Sequence, residues 1–334
     1  MSANSPSPSL LVAVAVLVAA FAAGAWRLAS HSAVRDPARQ TTNWIAMGTV
    51  AAFTSAGGAD HAAWAETVRG AFEDVERRLS LFRADSDLSR LNASGFIDLP
   101  AAVAEGECDV AGVVAYALAV ARDTDGAFDP TVNPLMRLWG FRKGVAVVEP
   151  PSDESMRKAL AMVGWRHVAL ATNDDGRVTL RLDARGVELD LGGIAKGYAV
   201  DLACARLAKA GAGDFIVNLG GNIRVCGRPD AARETWRIAV RDPNDPSRTT
   251  GDIVELADGE AVATSGSYER FVEIGGRRYS HIIDPRTGRP VARGGSVSVV
   301  APSAMEADAY STALFVQGAG AADGRPVVVN RSRP

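Results

Sequence analysis

A short stretch in the C-terminal third of the chain predicts a β-hairpin. The segment RFVEIGGRRYSHI, at 270–282, contains two runs of strand-forming residues separated by Gly275 and Gly276. Two consecutive glycines accept the positive φ angles that a tight two-residue turn requires, so the two runs are expected to pair antiparallel. Other β-prone segments bounded by glycine or proline lie at 214–219, 222–227, 236–241 and 296–301. This part of the chain is therefore expected to form mostly antiparallel sheet.

Helical periodicity marks several segments between and before these strands. Apolar residues recur every three or four positions over 64–82 and predict a helix with Asp60 as its cap. A last helix is predicted to begin at Ser303, because Ser303 and Glu306 have the spacing of a capping box. Further helices are predicted after Asp109, over 153–163 and over 195–210. Helices interspersed with hairpins predict an α+β fold of mostly antiparallel sheets packed with helices.

The N-terminal 27 residues differ in composition from the rest. Residues 10–26, LLVAVAVLVAAFAAGAW, form an apolar run slightly short of a bilayer core at about 1.5 Å per residue. Because AGA at 23–25 resembles a signal-peptidase site, 1–27 is predicted to be a signal peptide or an N-terminal membrane anchor. Basic residues follow the run and none precedes it, which argues against export. Residues 28–43 are predicted to be a linker and 44–334 the folded domain.

Charge and cysteine content exclude some function classes. The chain carries 36 basic and 39 acidic residues without a basic run, so nucleic acid is not expected as a partner. Cys108, Cys204 and Cys226 form no CxxC pair, which argues against a disulfide framework and against a zinc site. Cys204 lies in an apolar helical segment and is expected to be a buried structural thiol.

The segment LDLGGIAKGYAVD, at 189–201, leads into a predicted helix. An acid and two glycines precede the helix, and a lysine lies in its first turn. Unpaired N–H groups and the positive dipole end make a helix N-terminus suitable for anions, so Gly192, Gly193 and Lys196 form a candidate phosphate cradle. Asp190 fits poorly beside a phosphate unless a cation or a sugar hydroxyl lies between them. The alternative is a turn followed by an ordinary exposed lysine. The pattern differs from a P-loop.

Other polar side chains suggest a metal and a base. Asp308 and Thr312 are four residues apart and share a helix face, and such oxygen ligands suit Mg²⁺. His281 lies where a strand runs into a proline turn, and its imidazole is a candidate general base. Thr264 and Ser265 precede the hairpin and either bind phosphate or cap a turn. Alternatively, Asp308 and Thr312 are an ordinary polar pair on a helix, and His281 is a structural histidine.

The segment GAFDPTVNPLMRLWGF, at 126–141, is rich in large apolar residues. Asp129 precedes a proline and is expected in an extended or turn conformation. Met136, Trp139 and Phe141 are either the floor for an aromatic ligand or part of the core.

Together these segments resemble the ApbE family of FAD:protein FMN transferases. Matching blocks occur in the family's order over about 47–318: MGTV, LSLFRADSDLSRLN, GAFDPTVNPLMRLWGF, LDLGGIAKGYAVD, NLGGNIRVCG, VATSGSYERF, YSHIIDPRTGRPV and ADAYSTALF. The resemblance implies a T-fold-like α+β architecture. It also implies an exported, Mg²⁺-dependent enzyme that attaches FMN from FAD to a threonine or serine hydroxyl of a partner protein and releases AMP.

The resemblance further implies partners and location. Expected acceptors are subunits of sodium-pumping NADH:quinone reductase or of Rnf-type complexes, on the periplasmic side of the inner membrane. Two other functions stay open: an FAD pyrophosphatase that gives FMN and AMP, and a non-catalytic exported flavin-binding protein.

The resemblance also implies a set of site residues. The expected FAD contacts are Met47, Phe82, Ala127, Phe128, Asp129, Asp190, Lys196 and Thr264. The expected Mg²⁺ ligands are the carbonyl of Gly193 and the side chains of Asp308 and Thr312. His281 is the expected base. The chain departs from the family at Phe82, where tyrosine is frequent, at Asn222 and Ser267, where aspartate is common, and in its short C-terminus.

Overall fold

The computed structural model describes residues 39–55, 60–100, 103–142, 147–174, 176–230, 232–245, 247–318 and 327–330. The predicted signal peptide or anchor and residues 28–38 of the predicted linker lie outside these ranges. Within the described part of the chain, no helix has the length and apolar character needed to cross a membrane.

Helices and strands are interspersed along the described chain. The helices are α1 His61–Leu79, α2 Asp87–Ser94, α3 Val110–Asp123, α4 Asn133–Leu138, α5 Asp153–Leu160, α6 Ala195–Lys209 and α7 Ala304–Gln317. The strands up to the sixth are β1 Gln40–Ala46, β2 Thr49–Ser55, β3 Phe96–Pro100, β4 Val168–Thr172, β5 Arg177–Leu182 and β6 Phe215–Leu219. The later strands are β7 Asn222–Cys226, β8 Trp236–Arg241, β9 Thr249–Leu256, β10 Ala261–Gly266, β11 Phe271–Ile274, β12 Arg277–Ser280, β13 Ser296–Ala301 and β14 Val327–Asn330.

A seven-stranded sheet in the order β1-β2-β6-β7-β10-β13-β14 forms the centre of the protein. Every neighbouring pair in it is antiparallel. Smaller antiparallel sheets comprise β3-β5-β4, β8-β9 and β11-β12. The predicted α+β class with mostly antiparallel sheets is therefore confirmed.

The two faces of the central sheet carry different layers. On one face, alternate residues such as Phe53 and Val217 pack with α1, α6 and α7 in the main hydrophobic core. On the other face, Val225 and Val262 pack with Trp236 of the β8-β9 hairpin. Since neighbouring residues of a strand point to opposite faces, the register of β10 decides which of its side chains meets the helices.

The hairpin and the last helix cap were predicted correctly. Gly275 and Gly276, with φ of 59° and 75°, connect β11 and β12. The side chain of Ser303 accepts a hydrogen bond from the backbone N–H of Glu306 at 3.1 Å. Both features could be predicted from short sequence patterns, because the turn and the cap satisfy backbone groups without help from distant residues.

Two boundaries were predicted wrongly. Residues 40–43, assigned to the linker, belong to β1, because they pair with 52–55 of β2. The first helix ends at Leu79 instead of continuing to Phe82, because Ser80 adopts an extended backbone with φ of −78° and ψ of 129°. The Ser80 carbonyl then accepts a hydrogen bond from the hydroxyl of Ser86 at 2.7 Å, which fixes the direction in which the chain leaves the helix.

Candidate active site

Two tight turns and one strand end meet at the same end of the central sheet. Met47 and Gly48, with φ of 48° and 73°, join β1 to β2. The Gly220–Gly221 turn joins β6 to β7, and the Gly220 N–H donates to the Val50 carbonyl at 2.9 Å. Because β10 runs antiparallel to β7, its C-terminal residues 264–266 point to this end as well. We call this region the turn end of the sheet.

Lys196 and Asp308 come together beside the turn end. The ammonium Nζ of Lys196, in the first turn of α6, lies 3.2 Å from Oδ1 and 3.4 Å from Oδ2 of Asp308 in α7. Oδ2 also accepts the backbone N–H of Gly197 at 3.0 Å. Asp308 is only 3 % exposed, and these charge-assisted hydrogen bonds compensate for its burial.

A glycine allows α6 and α7 to approach closely enough for this pair to form. A Cβ atom at Gly197 would lie 2.1 Å from the carbonyl oxygen of Ala304 and 2.8 Å from Cβ of Asp308. No side chain fits in that space. The backbone of one helix is therefore in direct contact with the helix that carries the carboxylate.

Hydroxyl groups surround the next turn of α7. Oγ of Ser265, on β10, lies 2.8 Å from Oγ of Ser311 and 3.1 Å from Oγ1 of Thr312. A Cβ atom at Gly193 would lie 3.4 Å from Oγ1 of Thr312 and 3.1 Å from the ring of Phe128. Gly193, Thr312 and Phe128 are therefore direct neighbours.

The N-terminus of α6 is less open to an anion than the sequence suggested. The N–H groups of Ile194 and Ala195 donate to the carbonyl of Leu191, at 3.1 and 2.8 Å. The Gly192 N–H donates to Oδ1 of Asp190 at 2.8 Å. These three donors are therefore not available to a phosphate, whereas the ammonium of Lys196 carries a full positive charge at the same helix start.

Asp190 lies in an ion pair that the sequence did not reveal. Its Oδ2 accepts a hydrogen bond from Nη2 of Arg142, and both side chains are nearly buried. Its backbone N–H donates to the carbonyl of Pro130 at 2.7 Å, and Nε of Arg142 donates to Oδ1 of Asn133 at 2.7 Å. Arg142 therefore neutralises the acid that seemed unsuited to a phosphate site.

Ala127 and Phe128 are buried, and Asp129 is held by its own surroundings. Oδ1 of Asp129 accepts the N–H and the hydroxyl of Thr131, at 2.9 and 2.6 Å, and Oδ2 accepts the N–H of Trp165 at 2.9 Å. Burial raises the pKa of Asp129, and these hydrogen bonds oppose the rise. The carboxylate thus shapes the loop that carries Phe128.

His281 is half-buried and is held in one tautomer. Its Nδ1 lies 3.1 Å from the carbonyl oxygen of Arg270. A carbonyl only accepts hydrogen bonds, so Nδ1 carries the proton and the lone pair of Nε2 is free for another partner. Burial, together with the positive charges of Arg270 and Lys196, lowers the pKa of His281 to about 4. The imidazole is neutral at pH 7.

Thr264 and Phe82 have different surroundings. Thr264 lies on the opposite face of β10 from Ser265, and its Oγ1 is 2.7 Å from Oγ of Ser298 on β13. Phe82 follows α1 and is 59 % exposed. The N-terminus of α1 contacts Ser55 through His61, so its C-terminus, and Phe82 after it, lie toward the β1-β2 turn.

Sequence reasoning did not identify Glu269, in the segment between β10 and β11. Its side chain reaches solvent, yet desolvation by the surrounding protein raises its pKa to about 7. The charges of Lys196 and Arg241 oppose that rise, and the charge of Asp308 adds to it. Glu269 thus lies within electrostatic reach of the Lys196–Asp308 pair, which only the tertiary structure reveals.

Comparison with known proteins decides the family. The ApbE family model matches residues 47–328. The chain belongs to the ApbE family. The FAD:protein FMN transferase of Haemophilus influenzae is 34% identical over 254 residues, which is 76% of this chain and 72% of that protein. That of Vibrio cholerae is 38% identical over 247 residues, which is 74% and 71%.

Solved ApbE structures have the same fold. The flavin transferase ApbE from Vibrio cholerae superposes with a TM-score of 0.73 at 33% identity, over 87% of this chain and 93% of that one. The apo form of the Pseudomonas stutzeri flavinyl transferase ApbE gives 0.70 at 32% identity, over 89% and 92%. The fold expected from the ApbE resemblance is therefore confirmed.

The residues expected to bind Mg²⁺ in this ApbE member provide a suitable donor set. Asp308 provides a carboxylate, Thr312 a hydroxyl and Gly193 a backbone carbonyl, and the last two are adjacent. These are hard oxygen ligands, which suit Mg²⁺ and leave positions for water and phosphate oxygens. The described residues contain no cluster of three or more histidine, cysteine or acidic side chains, so a transition-metal site is not indicated there.

Two positions expected to depart from the ApbE pattern lie at the turn end. Asn222 is 3 % exposed, and its amide donates to the Leu219 carbonyl at 3.2 Å. Among the described residues, its buried Oδ1 has no hydrogen-bond partner. Ser267 is half-buried, and its N–H donates to the Gly295 carbonyl at 3.2 Å. In the C-terminal segment, Val327–Asn330 form β14, which pairs with β13 at the sheet edge.

Proposed function

We propose that this chain is an FAD:protein FMN transferase that uses Mg²⁺, attaches FMN to a threonine or serine hydroxyl and releases AMP. The observation that carries the proposal is the Lys196–Asp308 pair at 3.2 Å, next to Thr312 and Gly193, in a chain of the ApbE family. Curated relatives with the same enzyme name support the transferase activity.

Asp308, Thr312 and the carbonyl of Gly193 would hold the Mg²⁺ ion. When bound, the ion supplies positive charge that stabilises a pyrophosphate under attack. Lys196 adds a second positive charge at the same place, and Asp308 orients it. The Arg142–Asp190 pair keeps the neighbouring acid from repelling the phosphates.

His281 would accept the proton of the acceptor hydroxyl. Its Nδ1–H is directed to the Arg270 carbonyl, so Nε2 is the atom that takes the proton. The acceptor oxygen then bonds to the FMN phosphorus, and the bond from that phosphorus to the bridging oxygen breaks. AMP leaves with the bridging oxygen. A neutral imidazole at pH 7 suits this role, although its low pKa makes it a weak base.

Location and partners are part of the proposal and rest on the resemblance. The acceptors would be subunits of sodium-pumping NADH:quinone reductase or Rnf-type complexes. The chain would work on the periplasmic side of the inner membrane, either anchored by its N-terminal segment or released after cleavage. The apolar run at 10–26 supports this placement.

The test uses the full chain in mild detergent with FAD and Mg²⁺, with and without a candidate acceptor domain. AMP is measured by chromatography, and the acceptor mass is measured by mass spectrometry. We expect AMP to form only with the acceptor, together with an acceptor heavier by one FMN. A matched reaction in which the acceptor hydroxyl is replaced, by a Thr→Val change, should give neither product.

The other outcomes separate the alternatives. AMP with free FMN and no acceptor modification would overturn transfer in favour of FAD pyrophosphatase activity. Tight FAD binding without AMP in either reaction would indicate a flavin-binding protein.

A further inference from the structure

Cys204 and Cys226 meet between α6 and β7. Cys204 is buried in α6, and Cys226 is half-buried at the end of β7, packed against the same hydrophobic core. The two thiols are close enough to affect each other's pKa: a hydrogen bond from Cys204 lowers the pKa of Cys226, and the same interaction raises that of Cys204. Twenty-one residues separate the two in sequence, and neither has a CxxC partner, so the sequence pattern alone did not indicate this contact.

An ion pair between α6 and β7, close to the two cysteines, holds the helix in place against the strand. Nη1 of Arg224 lies 2.7 Å from Oδ1 of Asp201, and Asp201 also accepts the N–H groups of Ala304 and Met305 at 2.9 and 2.8 Å. Asp201 and Cys204 are three residues apart and share a helix face. Arg224 and Cys226 are two residues apart and share a strand face. The helix is thus held in the register that brings the thiols together.

The two sulfurs have different reactivity. The hydrogen bond from Cys204 lowers the pKa of Cys226, and the charge of Arg224 acts in the same direction. Burial and the carboxylates of Asp258 and Asp201 oppose this shift. Burial raises the pKa of Cys204 well above its ordinary value, so Cys204 keeps its proton. Because the thiolate is the attacking species, Cys226 is the nucleophile of the pair.

We propose that Cys204 and Cys226 form a disulfide that joins α6 to β7 when the protein meets a disulfide oxidant. The oxidant is a small-molecule disulfide or the disulfide of a thiol oxidoreductase. Cys226 attacks one sulfur of the oxidant, forms a mixed disulfide and releases one thiol. The Cys204 sulfur then attacks the Cys226 sulfur and its proton passes to the departing thiolate, which leaves as the second thiol. The protein loses two hydrogens, and the oxidant is reduced to two thiols.

The cross-link would tie α6, which carries Lys196 in its first turn, directly to the central sheet. The ring it closes runs through the C-terminal end of α6, β6 and β7. Closing a ring of this size restricts the unfolded chain and raises the midpoint of thermal unfolding. The proposal does not depend on transferase activity, so its test can fail while the proposed function stands.

The test oxidises the full chain in mild detergent with oxidised glutathione. Remaining thiols are then alkylated, and the protein is digested without reduction for mass spectrometry. We expect a Cys204–Cys226 peptide pair, lighter by two hydrogens than the sum of its reduced peptides. The midpoint of thermal unfolding should rise by about 5–10 °C, and a thiol reductant should reverse the rise.

Three variants distinguish this pair from general thiol oxidation. Cys204→Ser should trap a glutathione adduct on Cys226, which identifies the attacking thiol. Cys226→Ala should abolish both the peptide pair and the rise in the unfolding midpoint. Cys108→Ala should change neither, because burial raises the pKa of that thiol to about 11.

Two results would overturn the proposal. One is a glutathione adduct that persists on Cys226 of the unmodified chain without the linked peptide. The other is complete alkylation of both cysteines after oxidation.

Discussion

The ammonium of Lys196 lies 3.2 Å from the carboxylate of Asp308, although the two residues are 112 positions apart in sequence. The Gly197 N–H donates to the other oxygen of the same carboxylate at 3.0 Å. One acid therefore fixes both a side chain and a backbone group at the start of α6. It is also the only negatively charged side chain in the expected metal-ligand set.

Asp308→Asn should lower FMN transfer by on the order of 100-fold or more, because the amide binds Mg²⁺ poorly and no longer neutralises Lys196. Folding should stay cooperative, since an amide oxygen can still accept from Gly197. AMP release across a Mg²⁺ series, together with thermal melts, measures both effects. Asp153→Asn, at an exposed surface pair with Arg289, is the control. Unchanged turnover at limiting Mg²⁺ would exclude Asp308 as a ligand.

His281→Asn should reduce transfer by on the order of 100-fold, since it removes the atom that accepts the proton. In the unmodified protein, the rate that depends on neutral His281 should hold until the pH approaches 4, because its pKa is lowered to about 4. A pH–rate profile of transfer checks this. A loss of rate centred near pH 6.5 would contradict the assignment.

The same lowered pKa predicts how stability changes with pH. Below pH 6.5 the unfolded chain binds a proton at His281, whereas the folded protein does so only near pH 4. The free energy of unfolding should therefore decrease as the pH falls from about 6.5 to about 4. Denaturant melts at a series of pH values give the free energy of unfolding of the unmodified protein and of His281→Asn. This free energy should change less steeply with pH in the variant. Equal slopes would mean that His281 does not differ between the two states.

Met47→Asn should stabilise the fold by about 1 kcal/mol, because Asn tolerates the left-handed backbone that Met47 adopts at φ of 48°. FAD affinity should fall if the methionine side chain contacts the flavin. Denaturant melts and fluorescence titration with FAD separate the two effects. Gly48→Ala, at φ of 73°, should instead destabilise the same turn. A stabilised variant with unchanged FAD affinity would remove Met47 from the binding site.

Gly197→Ala should destabilise the protein by about 3 kcal/mol or more, since its Cβ would meet the Ala304 carbonyl at 2.1 Å. The rate of FMN transfer should also fall, because α7 must move away from α6 and Asp308 is displaced with it. Gly213→Ala is the control, as its Cβ meets nothing within 4 Å. Chemical denaturation of both variants is the measurement. Similar midpoints for the two would show that the helices adjust without cost.

Phe82→Tyr should improve FAD affinity by up to about tenfold if the added hydroxyl makes one hydrogen bond to the flavin. Stability should change by less than about 0.5 kcal/mol, because the side chain is 59 % exposed. Phe96→Tyr, at a side chain 56 % exposed, is the matched control. FAD titrations of Phe82→Tyr and Phe96→Tyr compare their affinities for FAD. Equal affinities would place position 82 outside the flavin contact.

Local signals accounted for much of the fold. The double glycine at 275–276 and the Ser303 cap were readable because each satisfies its own backbone. The helix α4, which starts beside Pro134, was missed, because six residues show little periodicity. Residues 40–43 were assigned to a linker because they begin an edge strand. Such a strand pairs with a single neighbour, here β2, and leaves only a weak pattern in the sequence.

The site residues were harder to interpret from sequence. The Lys196–Asp308 contact depends on a close helix approach at Gly197, and no spacing rule predicts it. The sequence gives no indication that Arg142 pairs with Asp190, since these residues lie 48 positions apart. Thr264 and Ser265 are adjacent, and only the pairing of β10 shows which of the two faces α7.

The separation of Lys196 from Asp308 also sets an order of events during synthesis. A ribosome adds roughly 5–20 residues per second, so α6 emerges on the order of ten seconds before its acidic partner in α7. During that interval the nascent chain has the lysine and the glycine turns but lacks the carboxylate. The site is therefore completed only when nearly the whole folded domain has left the ribosome, and a chain cut before Ala304 would lack both Asp308 and Thr312.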